Sequence, residues 1–90
     1  MVNIHKKSGM LLVTAHSQLG EAYLNLKCFE SALGHFTDAL KLNGELANQG
    51  DSRSYHIHLL IMLGRCYLEG GSFREALELL QKAEELILQV

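Results

Sequence analysis

Leu19-Gly20-Glu21-Ala22-Tyr23-Leu24 recurs 44 positions later as Leu63-Gly64-Arg65-Cys66-Tyr67-Leu68. The likeness continues downstream of both copies, where the same offset aligns Phe29, Ala32, Leu33 and Ala39 with Phe73, Ala76, Leu77 and Ala83. The shared residues fall three, four and seven positions apart, which is the spacing of one face of a helix. Since a fixed period of this size is the signature of repeat architectures, the chain is predicted to be two copies of one helical unit.

The composition supports a small helical domain. Ninety residues with a mass of 10.0 kDa suffice for one domain, so residues 1–90 are predicted to form a single domain. Apolar residues make up 48% of the chain, charged residues 20%, and the formal net charge is −2, which excludes the composition of a disordered protein. Proline and tryptophan are absent. This favours long uninterrupted helices over a β-sandwich or barrel.

Charge and hydropathy argue against several classes of partner. The pI is near 6.2 and the eight basic residues are scattered, whereas nucleic-acid-binding domains usually have a pI above about 9 with clustered Lys and Arg. No apolar run approaches the roughly 20 residues that cross a bilayer, and the N-terminus has no signal-peptide pattern. Cys28 and Cys66 have no companion pair, which favours reduced thiols. We therefore expect a cytoplasmic protein that binds neither nucleic acid nor membranes.

Each copy has the same order of small and large residues. The order L-G-x2-Y…A-x3-F…A is matched by Leu19, Gly20, Tyr23, Ala32, Phe36 and Ala39, and again by Leu63, Gly64, Tyr67, Ala76, Leu80 and Ala83. With these residues the chain resembles the tetratricopeptide repeat family over about residues 13–88. It departs from the family's pattern where His16 and Leu60 replace a frequent Trp, and where Lys27 replaces a frequent turn Gly.

The resemblance implies an all-α fold of two antiparallel helical hairpins, part of an α-solenoid. Repeat one is expected at about residues 9–49 and repeat two at about residues 51–89. The 44-residue period implies the long-repeat subclass of the family.

The repeat predicts four helices joined by short connections. The first runs from an N-cap at Ser8 to about Leu26, and the second begins near Cys28. The third ends at residue 68 or 69, and residues 70–72 turn the chain into a fourth helix that reaches the C-terminus. Ser72 is predicted to cap that fourth helix.

The end of the second helix is marked by conflicting signals. Asn43-Gly44 would stop it at the ordinary repeat boundary, yet Leu46 and Ala47 continue the apolar stripe, and one interior Gly costs only about 1 kcal/mol. We therefore favour continuation past Gly44 to residue 48 or 49, with Gly50 at C′ and residue 51 or 52 capping the third helix.

Small residues mark the points where helices cross, because a missing or one-carbon side chain lets two backbones approach closely. Gly20 and Ala32 are predicted to meet in the first hairpin, and Gly64 and Ala76 in the second.

Side chains that could carry chemistry are separated from one another in the sequence. His56 and His58 are two residues apart, which places them on different sides of a helix, and His35 has only Asp38 one turn on. His16 occupies a position that is usually a packed aromatic. We therefore predict no catalytic residue, no metal site and no cofactor.

In the family that this chain resembles, the first helix of each hairpin lines a concave groove that holds a partner. The matching positions are Thr14, Ser17, Glu21, Leu24 and Asn25 in repeat one, and His58, Ile61, Arg65, Leu68 and Glu69 in repeat two. The resemblance thus implies a non-catalytic module that binds a peptide or helix of a partner protein and scaffolds an assembly. Glu21 and Arg65 replace the Asn of known peptide clamps, so carboxylate capture would rest on Arg65 alone. The two are predicted to approach each other as an ion pair across the repeats.

The fourth helix offers a second interaction surface. Leu79, Leu86 and Val90 lie off the stripe that is predicted to pack on the third helix, so we expect them to be more exposed than Leu77, Leu80 and Ile87. A contiguous exposed apolar area normally marks a contact surface. The alternative function is therefore a structural spacer or self-association unit of a longer repeat array, which pairs through helix four. The two hypotheses differ in where the partner binds.

Overall fold

A computed structural model describes residues 2–46 and 52–89 of the chain. These residues form four helices and, within the same ranges, no strand: α1 (Val2–Asn25), α2 (Phe29–Glu45), α3 (Ser52–Glu69) and α4 (Phe73–Leu88). α1 packs along α2 and α3 packs along α4, and each pair is joined by a short connection. The predicted all-α fold of two antiparallel hairpins is confirmed.

The first hairpin turns through a Schellman motif, in which two N–H groups beyond the helix end donate back into its last turn. The Cys28 N–H donates to the Tyr23 carbonyl at 2.9 Å, and the Lys27 N–H donates to the Leu24 carbonyl at 2.9 Å. Lys27 takes the left-handed conformation that this motif requires, with φ 66°. This conformation costs a residue other than Gly about 1–2 kcal/mol.

The second hairpin repeats the same motif. The Ser72 N–H donates to the Tyr67 carbonyl at 2.8 Å, and the Gly71 N–H donates to the Leu68 carbonyl at 3.2 Å. Here the left-handed residue is Gly71, with φ 91°, which has no Cβ to strain. Ser72 occupies the predicted N-cap position of α4, but its side chain makes no capping hydrogen bond.

Two of the predicted helix boundaries are wrong. α1 begins at Val2, so Ser8 lies inside the helix and is not its N-cap. α2 continues past Gly44 as predicted, but it ends at Glu45 instead of residue 48 or 49, and the Leu46 N–H donates to the Leu42 and Asn43 carbonyls. The predictions for residues 47–51, including Gly50 at C′, lie outside the described residues.

The Asn43 side chain links α2 to α3. Its side chain is buried, and Nδ2 donates to the Ser52 carbonyl at 2.7 Å. This bond ties the last turn of α2 to the first residue of α3. Asn43 therefore joins the two hairpins while remaining inside the helix.

The repeated glycines lie where helices approach closely. A Cβ added to Gly20 would lie 2.6 Å from the Phe36 ring, and one added to Gly64 would lie 2.8 Å from the Leu80 side chain. The Ala76 carbonyl oxygen is 3.5 Å from the same point above Gly64. The predicted approach of Gly64 to Ala76 is confirmed, whereas the neighbour above Gly20 is Phe36, so the meeting of Gly20 with Ala32 stays a prediction. In both hairpins the large residue of the repeat fills the space over the glycine.

The hydrophobic core lies between the hairpins. It contains Val13 and Leu24 of α1, Phe36 of α2, and Leu59 and Cys66 of α3, all buried. α2 packs between α1 and α3, and α3 packs between α2 and α4. α1 also touches α3, whereas α2 and α4 make no contact in the described part of the chain. α1 and α3 therefore line one side of the molecule.

Candidate functional site

The ten residues that the sequence places in the groove divide into buried and accessible ones. Leu24 belongs to the core, and Ser17 is only 4% exposed. The Ser17 Oγ has no hydrogen-bond partner among the described residues. Both side chains are buried among the residues around α1, so neither is accessible to a partner in this structure.

Thr14 is half-buried and links α1 to α3, the first helices of the two hairpins. Its Oγ1 donates to the Met10 carbonyl at 3.2 Å and lies 3.3 Å from the Tyr55 hydroxyl of α3. Thr14 therefore holds α1 against α3, and its hydroxyl is already engaged within the chain.

The remaining seven predicted residues form what we call the inner surface. They share the α1 and α3 side of the molecule and are half-buried or exposed: Glu21, Asn25, His58, Ile61, Arg65, Leu68 and Glu69. The inner surface is thus the part of the predicted groove that a partner could reach.

Two side-chain pairs lie on the inner surface, and neither is the predicted pair. Arg65 Nε donates to the Glu69 carboxylate at 2.7 Å, and Glu21 Oε1 lies 3.9 Å from His58 Nε2. Among the described residues no ion pair joins Glu21 to Arg65, so that prediction is wrong. Arg65 has a nearer acceptor, because a residue four positions on lies on the same face of its own helix.

Glu69 connects the inner surface to the turn of the first hairpin. Lys27 Nζ lies 3.4 Å from its carboxylate, on the side away from Arg65 Nε. The hydrogen bond from Arg65 is the main cause that holds the pKa of Glu69 below its usual value, and Lys27 adds to the effect. Two cations therefore keep this carboxylate ionised.

Apolar side chains lie beside these charges. Ile61 is 38% exposed and Leu68 is 48% exposed, and both lie on the stripe of α3 that also carries Arg65, four residues after the first and three before the second. Only Nε of Arg65 is hydrogen-bonded within the described residues, so its terminal guanidinium nitrogens remain available to a partner.

Helix four presents a different exposed face from the one predicted. Leu79 and Leu86 are half-buried, and Leu79 packs against the core, whereas Leu77 is 56% and Ile87 is 50% exposed. The predicted order of exposure is therefore wrong, and Val90 lies outside the described residues. The exposed apolar residues of α4 define what we call the outer surface: Phe73, Leu77, Ile87 and Leu88.

The first repeat gives the physical reason for this correction. Phe29 and Leu33 of α2, the equivalents of Phe73 and Leu77, are half-buried and pack against the core, because α3 covers that face of α2. Leu79 is equivalent to His35, which faces α1 of its own hairpin. Positions 35 and 79 thus face the hairpin partner, and positions 33 and 77 face the next helix along.

One cluster of polar rings was not predicted. His16 of α1 and His35 of α2 bring their Nδ1 atoms to 3.1 Å, and the Tyr23 ring stacks on His35 with centroids 5.4 Å apart. The residues are 19 apart in the sequence and lie on different helices, so no spacing rule for one helix could pair them. Among the described residues, no three or more potential metal ligands come together.

The two cysteines are free and lie in different environments. Cys28 is exposed at the hairpin turn, whereas Cys66 is buried in the core. Burial, reinforced by the nearby Glu69 charge, raises the pKa of the Cys66 thiol to about 11. Cys66 is therefore a protonated packing residue at neutral pH and not a nucleophile.

None of the helices, over the ranges that the structure describes, is both long and apolar enough to span a bilayer. A family model described as tetratricopeptide repeat matches residues 11–89, a range that takes in the helical part of both hairpins from mid-α1 onward. A search of curated proteins and a search of solved structures each found no match.

Proposed function

We propose, from the premise that the chain belongs to the tetratricopeptide repeat family, that it is a non-catalytic module that binds a peptide or helix of a partner protein on the inner surface. Members of this family generally mediate protein–protein interaction and scaffolding. Binding of a partner at this surface would let the module scaffold an assembly.

The observation that carries the proposal is the stripe on α3. His58, Ile61, Arg65 and Leu68 follow one another at spacings of three and four, so they share one face of the helix, and all four are exposed. An exposed apolar pair around an arginine with free donors is the kind of site that anchors a partner, since Arg is enriched at interaction hot spots.

This stripe defines the chemistry of the partner. The terminal nitrogens of Arg65 suit a carboxylate or a backbone carbonyl, because guanidinium presents paired donors. Ile61 and Leu68 suit apolar side chains on either side of that acceptor. We therefore propose a partner segment with an acidic residue or free carboxyl terminus flanked by apolar residues.

A selection of peptides from a random displayed library against the purified chain tests this function. Selected peptides should carry the acidic and apolar pattern, and Arg65→Glu should weaken their binding at least about tenfold, which is about 1.4 kcal/mol. Arg74→Glu is the matched control, because it makes the same charge change at an exposed arginine on α4. Nuclear magnetic resonance of the labelled chain would locate the bound peptide.

The two variants separate loss of binding from loss of fold. Arg65 is half-exposed, so both variants should melt close to the parent protein. Peptides that bind Arg65→Glu as tightly as the parent, or that perturb α4 instead of α3, would place the site elsewhere.

A second candidate function, self-association through α4, is favoured by the outer surface. On α2 the residues equivalent to Phe73 and Leu77 are covered by the following helix, whereas on α4 they are 66% and 56% exposed. Two copies that meet through their outer surfaces would cover these residues as α3 covers α2. Leu79 and Leu86, the residues first expected to make this contact, are half-buried and lie outside the outer surface.

A further inference from the structure

We infer that His16 and His35 form a chelating site for a divalent transition-metal ion of the class that prefers imidazole nitrogen, such as Zn²⁺ or Cu²⁺, and that the ion clasps α1 to α2. The two Nδ1 atoms are 3.1 Å apart across the hairpin, and both rings are half-buried. Imidazole is the common protein ligand for these ions.

The separation of the two nitrogens matches the bite of a chelate. Two nitrogens that each lie about 2.05 Å from one tetrahedral ion are about 3.3 Å apart, and at a right angle they are about 2.9 Å apart. The observed 3.1 Å lies between these values. The separation already observed therefore suits a chelate, and metal binding requires the two rings to turn their Nδ1 lone pairs towards one point.

The pair as it stands is held by a single shared proton. At 3.1 Å one Nδ1 donates and the other accepts, so only one of the two nitrogens carries a hydrogen. A metal ion would take the place of this proton and accept both lone pairs. The ring that loses this hydrogen from Nδ1 takes one up at Nε2, so both imidazoles ligate in their neutral form and no net proton is released.

The surroundings orient the rings for this exchange. Tyr23 stacks on His35 at an interplanar angle of 5°, and the His16 ring lies 5.3 Å from His35, tilted by 31°. Within the described residues neither imidazole forms an ion pair with a carboxylate, and no third protein ligand joins them. Water would fill the other coordination positions, so we expect a site of modest affinity.

The site is independent of the proposed function. His16, Tyr23 and His35 belong to neither the inner nor the outer surface, and the clasp joins two helices of one hairpin. A metal ion that binds the folded chain more tightly than the unfolded chain raises its stability. The ion should therefore raise the melting temperature whether or not a protein partner is present.

A calorimetric titration of Zn²⁺ into the 90-residue chain at neutral pH tests the inference. One ion should bind per chain, and His16→Gln and His35→Gln should each weaken binding at least about tenfold. His58→Gln is the matched control, since His58 is an exposed histidine on α3 whose Nε2 faces Glu21.

A second measurement needs no variant to fold. In the parent protein labelled with ¹⁵N, added Zn²⁺ should shift the Nδ1 resonances of His16 and His35 and leave those of His58 unchanged. Undiminished binding to His16→Gln, ligation through other histidines, or the absence of binding with both Zn²⁺ and Cu²⁺ would each overturn the inference.

Discussion

At the scale of single residues, the helical glycines of this chain fall into two kinds according to what a Cβ would meet. Above Gly20 the Phe36 ring is 2.6 Å away, closer than a carbon contact allows. At Gly34 and Gly44, both inside α2, nothing lies within 4 Å. At the first kind of position packing requires a glycine, whereas at the second kind the glycine only weakens its helix.

Alanine substitution should therefore have opposite effects at the two kinds of site. Gly20→Ala is expected to lower the free energy of unfolding by about 1–3 kcal/mol, because the new methyl group must displace an aromatic ring in a packed interior. Gly34→Ala is expected to raise it by up to about 1 kcal/mol, because alanine is the better helix former and meets no neighbour. Urea denaturation followed by circular dichroism would measure both; equal midpoints would show that Gly20 is not a close approach.

Spacing within one helix indicates residue contacts that spacing between helices does not, although the pair predicted for Arg65 was the one between helices. Arg65 and Glu69 are four apart on α3, so their pairing follows from the sequence. The contact of Glu21 with His58 depends on how far α1 slides along α3 and how each is rotated, and no sequence interval records either quantity. The contact between His16 and His35 was not predicted for the same reason, because it depends on how α1 and α2 are placed relative to each other.

At the scale of helices, the number of elements was predictable and the rotation of the last one was not. The repeated Leu-Gly-x-x-Tyr stretch marks the first helix of each hairpin, α1 and α3. The backbone carbonyl of its Tyr accepts the hydrogen bond that closes the turn of that hairpin. Helix four, however, carries apolar residues on two faces, and periodicity alone does not say which face meets α3. Alignment with α2 resolves this, because the face that α3 covers on α2 is the one that stays exposed on α4.

The outer surface predicts the association state of the chain. Leu77→Glu should weaken any dimer at least about tenfold, because it places a charge in the centre of an apolar contact. Leu26→Glu is the matched control: Leu26 is 70% exposed and lies at the turn of the first hairpin, outside the outer surface. Light scattering over a range of protein concentrations measures the equilibrium. A parent protein that stays monomeric at the highest concentration would remove self-association as a function of this surface.

At the scale of the whole molecule, the order of packing distinguishes the inner helices from the outer ones. α2 packs against both α1 and α3, and α3 against both α2 and α4, whereas α4 has α3 as its only neighbour in the described part of the chain. In repeat proteins the stability is close to a sum of unit terms and nearest-neighbour interfaces. Helix four should therefore open at a lower free energy than α2 and α3, since it loses only one interface.

Native-state hydrogen exchange is expected to show this gradient. Amides of α2 and α3 should exchange slowest and those of α4 faster, because local opening of α4 exposes the least buried area.

The measurement also separates the two functional candidates if it is repeated at several protein concentrations. Self-association through the outer surface would slow exchange in α4 as concentration rises, because a second copy supplies the missing interface. A peptide bound at the inner surface would instead slow exchange in α3 at every concentration. If α4 exchanges as slowly as α3 in dilute solution, α4 is held by more than its contact with α3, and the assignment of the outer surface as an uncovered interface fails.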